Sequence, residues 1–242
     1  MKNNRFVSAF TGSFKDLNYR SAIIIVIDIL AFFLTAFALK RGIGYVQSII
    51  VSLPHPDELF SLSLEEIQAA FTPNPQVMII VSLILMAAVV LIIFALSRSA
   101  VWLLSEKKQM NPKSFARFTL ILLYWYVAVL IPAGALFYIM KPGIKLIFLA
   151  VIAMLFLHYS QSLNIALTKS QRFRQIITAF KTGTKKIHLF LLSYLLSILA
   201  FIILSQAWWI YRHFMDSYLV PRIITLAIVM CWTRYFMIKI IP

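Results

Sequence analysis

A carboxylate stands in the middle of an apolar run. Asp28 lies within residues 23–33, whose other members are all Ile, Val, Leu, Ala or Phe. It follows Arg20 by eight positions, about 12 Å along a helix. An ionised carboxylate at that depth in a bilayer costs about 2.5–3.5 kcal/mol even on a lenient insertion scale. Asp28 must therefore face protein or water, hold a counter-ion, or carry a proton. Depth counting along the other apolar runs puts Arg234 first among its partners and His158 second. Gln161, Ser162 and Asn164 lie close to His158 in the same run, and His158, Gln161 and Ser162 share one helical face. Tyr124, Tyr126, Ser193, Tyr194 and Ser197 fall at a comparable level, so the expectation is one polar layer in the inner half of the bilayer. Such a layer can bind a polar substrate or relay a proton, since a nearby carboxylate moves imidazole across the physiological range. It can equally tie helices together.

Other chemistry is poorly represented. The chain has six Gly and no phosphate-cradling glycine loop. There is no His-Glu-x-x-His or paired metal-ligand spacing, and His55 with Asp57 and Glu58 is only a loose metal-ligand grouping. Ser160 or Ser162 beside His158 on one helix does not make a nucleophile–base geometry, and no oxyanion donors are identifiable. No catalytic residue, metal or cofactor is expected. The single Cys231 excludes an internal disulfide.

These residues are positioned by six apolar runs. With 62% hydrophobic and 13% charged residues, the 242-residue chain lies outside the soluble range. Each run is long enough for a helix to cross about 30 Å of hydrocarbon. The spans are assigned to 21–39, 77–96 (with helix continuing towards 104), 118–140, 144–167, 187–211 and 219–241. None alternates polar with apolar residues as barrel strands do. The fold class is all-α: a polytopic membrane protein of six helices in three hairpins, forming a single domain over 1–242. Residues 1–20 are too polar and aromatic for a cleavable signal, so the first run is expected to be retained.

The net charge of +15 gathers at the ends of these runs, which points to anionic lipid headgroups and not to nucleic acid. Seventeen of the 23 Lys and Arg fall in the N-terminal segment, the second and fourth connections and the C-terminal end. That asymmetry predicts both termini in the cytoplasm and favours an even number of spans. Arg98 and Lys239 can snorkel to the surface, and Pro132 with Gly134 predicts a kink in the third span.

The first connection, 40–76, reads as a compact external cap. Gly42 and Gly44 weaken the first helix, and Ile43, Val46, Ile49, Ile50 and Leu53 then recur at the spacing of a separate surface-lying or re-entrant helix. Ser63 with Glu66 fits a capping box for another short helix. On the basic side, three amphipathic elbows precede the first, third and fifth spans. The first sets Phe6, Phe10, Phe14 and Leu17 beside Arg5, Lys15 and Arg20. The last sets Phe173, Ile177 and Phe180 beside Arg172, Arg174, Lys181, Lys185 and Lys186. The middle one, around 110–118 after Lys107 and Lys108, is shorter. Their aromatic residues are expected to sink into the headgroup boundary while the cations meet lipid phosphate. Aligning Val7-Ser8-Ala9-Phe10 with Ile177-Thr178-Ala179-Phe180 suggests a repeated unit.

The stretch Ala179-Phe180-x-x-Gly183-x-Lys185, followed by Leu191-Leu192-x-Tyr194-Leu195-Leu196, resembles the six-helix membrane domain joined to some glycerophosphodiester phosphodiesterases, and related bacterial and archaeal membrane proteins. The resemblance covers about thirty residues and the six-span layout. The soluble catalytic domain has no counterpart here, so what the likeness implies is a membrane module in a prokaryotic plasma membrane. The expected function is accordingly non-enzymatic: a transporter-like module or a membrane-embedded subunit with a membrane or cytoplasmic protein partner, working through the layer around Asp28. A scaffold that binds anionic lipid or a cytoplasmic partner through its elbows is the alternative, and an intramembrane lipid-modifying enzyme the third.

Overall fold

The computed structural model describes residues 2–53, 63, 74–106, 111–210 and 219–241. Over these residues the chain is helical, with α1 Lys2–Lys15, α2 Tyr19–Val51, α3 Pro75–Ser105, α4 Pro112–Ile139, α5 Pro142–Lys169, α6 Gln175–Lys185, α7 Ile187–Ile210 and α8 Leu219–Ile240. Six of them, α2 to α5, α7 and α8, are long and apolar enough to cross a membrane. The protein is an all-α, multi-pass integral membrane protein.

Local chemistry places the helix starts. Asn18, Asn74 and Asn111 each accept, through the side-chain oxygen, a hydrogen bond from the backbone N–H two residues on, at 2.9, 3.0 and 3.0 Å. Ser21 Oγ returns a bond to the Asn18 N–H at 3.1 Å, closing a reciprocal cap on α2. Pro75, Pro112 and Pro142 occupy the first helical position, where the missing N–H costs nothing. α4 runs unbroken through Pro132.

The first connection departs from expectation. α2 continues without a break to Val51, so Gly42 and Gly44 do not end it and residues 43–51 are not a separate surface helix. A glycine costs a helix only about 1 kcal/mol, less than leaving backbone groups unpaired in hydrocarbon. Gly42 also lies against the Met86 side chain of α3, where a Cβ would collide with the sulfur. The expected helix after Ser63 and the grouping of His55, Asp57 and Glu58 lie outside the described residues.

By contacts the chain forms two units, Met1–Leu30 with Ala95–Pro242, and Ala31–Phe94. In the first unit α8 is the central helix: 61% of its span is buried, against 11% in α5 and in α7. It is also the least apolar of the six spans, while α3, the most apolar, has 0% of its span buried. In lipid the helix that carries polar side chains goes inside, since apolar residues gain nothing by leaving hydrocarbon. Ile24, Val101, Cys231 and Tyr235 meet where α2, α3 and α8 touch. Burial in α4 ends at Tyr126 and in α5 begins at His158, so both are packed at the end where the termini lie.

The elbows are docked helices, each in its own way. In α1, Phe6 and Phe10 pack edge-on against Phe236 and Trp232, with ring centroids 5.7 Å apart in each pair, and Phe14 stacks on Trp232 at 5.4 Å. Trp232 Nε1 donates to Ser13 Oγ at 2.9 Å. This stripe packs on α8 and does not simply sink among headgroups, because the Trp232–Phe236 ridge offers it a partner. In α6 the face turned to the bundle is made of small residues, Ala179 and Gly183, while Ile177, and Phe173 just before the helix, are exposed. The middle elbow is not a separate helix: α4 starts at Pro112, and Phe118 is already buried. Ala9 and Ser13 of α1 are buried as are Ala179 and Gly183 of α6, at the same four-residue spacing.

Candidate functional site

Asp28, on α2, is held by α8. Arg234 Nη1 and Nη2 donate to Asp28 Oδ2 and Oδ1 at 2.6 and 2.9 Å, a bidentate pair. Both side chains are withdrawn from the surface, at 3% and 9% exposure. His158, the second candidate partner, is engaged elsewhere. Arg98, expected to reach the surface, instead lies inside with its Nη1 3.6 Å from Asp28 Oδ1. Snorkelling fails because α3 continues through the buried Val101, Trp102 and Leu103 to Ser105, leaving Arg98 about 10 Å from the helix end. These three side chains bear two positive charges and one negative.

Several other polar groups at this level link pairs of helices. His158 Nε2 lies 3.1 Å from the Gly183 carbonyl, which can only accept, so Nε2 carries the proton. Ser162 Oγ donates to the Ala179 carbonyl at 2.7 Å, giving α5 a second tie to α6. Ser160 Oγ receives Trp125 Nε1 at 2.9 Å and joins α5 to α4. Thr119 donates to Ser99 at 3.0 Å between α4 and α3, and Ser197 meets Thr233 at 2.6 Å between α7 and α8. His158 and Ser162 thus both bond α6, whereas Ser160 bonds α4. Asn164 is buried, and its side-chain oxygen makes no hydrogen bond among the described residues.

Gln161 behaves differently. It lines, with Arg234, a cleft of about 370 Å³ among α5, α7 and α8. Tyr194, Ser197 and Thr233 also line it, and Ile198, Phe201, Leu226, Val229, Met230 and Met237 supply apolar wall. Gln161 Oε1 and the Tyr194 hydroxyl are buried and make no hydrogen bond among the described residues. Ile198 and Leu226 are exposed, at 57% and 42%, so the cleft opens on the apolar flank of the bundle. The residues of the expected layer are divided: Arg234 and Gln161 line the cleft, whereas Asp28 is paired with Arg234 and His158 and Ser162 bond α6.

Among the elbow cations, Lys15, Arg172, Arg174, Lys181 and Lys185 are exposed, and Arg20 and Lys186 are half-buried. The Arg5 side chain, Lys107 and Lys108 lie outside the description. Lys239, also expected to snorkel, bonds Asp16 at 2.7 Å and ties α8 to the end of α1. Among the described residues no three His, Cys, Asp or Glu side chains gather as metal ligands. Comparison with protein-family models, with curated proteins and with solved structures gave no match.

Proposed function

We propose that this chain is a non-enzymatic, transporter-like membrane module that takes a small solute or a lipid into the cleft among α5, α7 and α8. The observation that carries this reading is the cleft itself, about 370 Å³, which opens on the apolar flank of the bundle and counts Gln161, Tyr194 and Arg234 among its lining residues. The clustering of Lys and Arg supports an orientation with both termini in the cytoplasm, and only the resemblance of the 179–196 stretch speaks for a prokaryotic plasma membrane. The exposed cations of α6 then sit at the level of anionic headgroups.

Flux into proteoliposomes tests the reading, with a tail-labelled fluorescent phospholipid and a panel of labelled small solutes. Wild-type protein should accelerate one of them. Ser197→Trp, which fills the cleft, should cut that rate at least tenfold. Wild-type vesicles indistinguishable from protein-free vesicles across the panel would remove the transport reading.

A second reading, a membrane-embedded partner or scaffold, draws on α2 and α3. Their spans are 6% and 0% buried, far less than α8, which leaves long apolar faces for another helix or for lipid. The likeness of the 179–196 stretch to a membrane module joined to an enzyme also favours it. Disulfide cross-linking from a cysteine at Ile84 or Leu85, in membranes, should trap a defined product if a protein covers this face.

A further inference from the structure

We infer that α6 is the surface through which this protein binds anionic lipid, and that α1, the other elbow helix, does not share the role. The inference is independent of the cleft. Periodicity gives the two elbows one character, and packing separates them. α1 turns its Phe stripe onto Trp232 and Phe236, and Asp16 just beyond its end pairs with Lys239. α6 instead meets the bundle through its backbone, where Ser162 and His158 bond the carbonyls of Ala179 and Gly183. Arg174, Ile177, Lys181 and Lys185 follow at three- and four-residue spacing and form the opposite face, which is exposed throughout.

Charge gives the sign of the partner. No Asp or Glu occurs between Glu106 and Asp216, so the stretch that contains α6 is purely basic. Arg172, Arg174, Lys181 and Lys185 are exposed and make no ion pair among the described residues. The ties to α5 use uncharged groups and leave these cations to the outside. At an anionic bilayer surface each such cation strengthens binding about fivefold.

Two observations favour a lipid surface over a soluble polyanion. Phe173 and Ile177 are each 59% exposed among these cations. A soluble polyanion would leave them in water, whereas the headgroup boundary buries them while the neighbouring cations meet phosphate. The second is tethering. α6 ends at Lys185 and α7, a membrane-spanning helix, begins at Ile187, so one residue holds this end of α6 at the edge of the hydrocarbon.

The test uses the full-length protein in phosphatidylcholine nanodiscs, with Cys231→Ala and with Thr178→Cys carrying a bimane beside the basic face. Phosphatidylglycerol and phosphatidylcholine bearing the same acyl-chain nitroxide are titrated in, and quenching reports which lipid gathers at α6. Phosphatidylglycerol should be preferred at least about fivefold, the scale of one cation at an anionic surface. Replacing Arg172, Arg174, Lys181 and Lys185 together by Gln should bring the ratio close to one. Sodium chloride at 1 M, where the Debye length is about 3 Å, should do the same without any substitution, so the test does not depend on the variant folding. A bimane on Thr11→Cys, an exposed position of α1, should report a ratio close to one. A ratio close to one at residue 178, a preference there that survives both the substitutions and the salt, or equal preference at residues 11 and 178 overturns the assignment. So does soluble pentaglutamate displacing phosphatidylglycerol at micromolar concentration, since that makes the occupant an acidic protein segment. None of these results bears on the cleft, so failure here and failure of the transport reading are separate outcomes.

Discussion

At the scale of single residues, Asp28 governs the bundle because it answers two guanidiniums at once. Removing one partner of a buried pair leaves the other charge uncompensated, at a cost of about 3–5 kcal/mol. Asp28→Asn should therefore be the most destabilising change in the cluster. Arg234→Gln should follow, since it breaks the bidentate bonds at 2.6 and 2.9 Å. Arg98→Gln should cost less than half as much as Asp28→Asn, because its contact is longer, at 3.6 Å. Thermal unfolding in detergent would give this order, and an Arg98 variant worse than the Asp28 variant would refute it. The Asp28–Arg234 pair was legible from sequence, because an acid and a base at equal depth have few other ways to avoid their desolvation cost. The role of Arg98 was missed. Its signal was the apolar Val101-Trp102-Leu103-Leu104 run that follows it, which carries the helix on and holds Arg98 below the surface.

At the scale of elements, the docking of α6 on α5 depends on the absence of a side chain at Gly183. A Cβ there would meet the Tyr159 ring at 3.1 Å and His158 Nε2 at 3.3 Å. Gly183→Leu should displace α6 and break the His158 bond to the Gly183 carbonyl. Amide exchange over 179–185 should then rise at least about tenfold. Gly183→Ala should give a smaller rise, as rings held on both sides yield only a few tenths of an ångström. Gly12 on α1 is the control. A Cβ there meets the Lys239 ammonium at 2.8 Å, the far end of a flexible side chain, so Gly12→Ala should leave exchange in α1 nearly unchanged. Equal effects at the two glycines would contradict this packing account. The amphipathic character of α1 and α6 could be read from periodicity. Which face met protein could not, since a stripe of Phe fits a headgroup layer as well as it fits Trp232 and Phe236.

At the scale of the whole molecule, six spans with sided charge lead to a labelling prediction. Cys231 is the one native cysteine and is buried, so Cys231→Ala gives a silent background. In intact cells, a cysteine replacing residue 60 should react with an impermeant maleimide, and one replacing Lys181 should react only after permeabilisation. The reverse pattern would invert the topology. The sequence alone determined how many helices cross, which loops are basic and how deep each polar group lies, because depth is a one-dimensional coordinate that advances 1.5 Å per residue. Only the tertiary structure decided the rest: that α2 runs on past its glycines, that α8 is central, and that the polar layer divides into ties between helices and one cleft. Those outcomes depend on how each helix is rotated and which neighbour it meets. Both are set by side chains packing between helices far apart in sequence, and runs that are apolar all round carry no periodic mark of that choice.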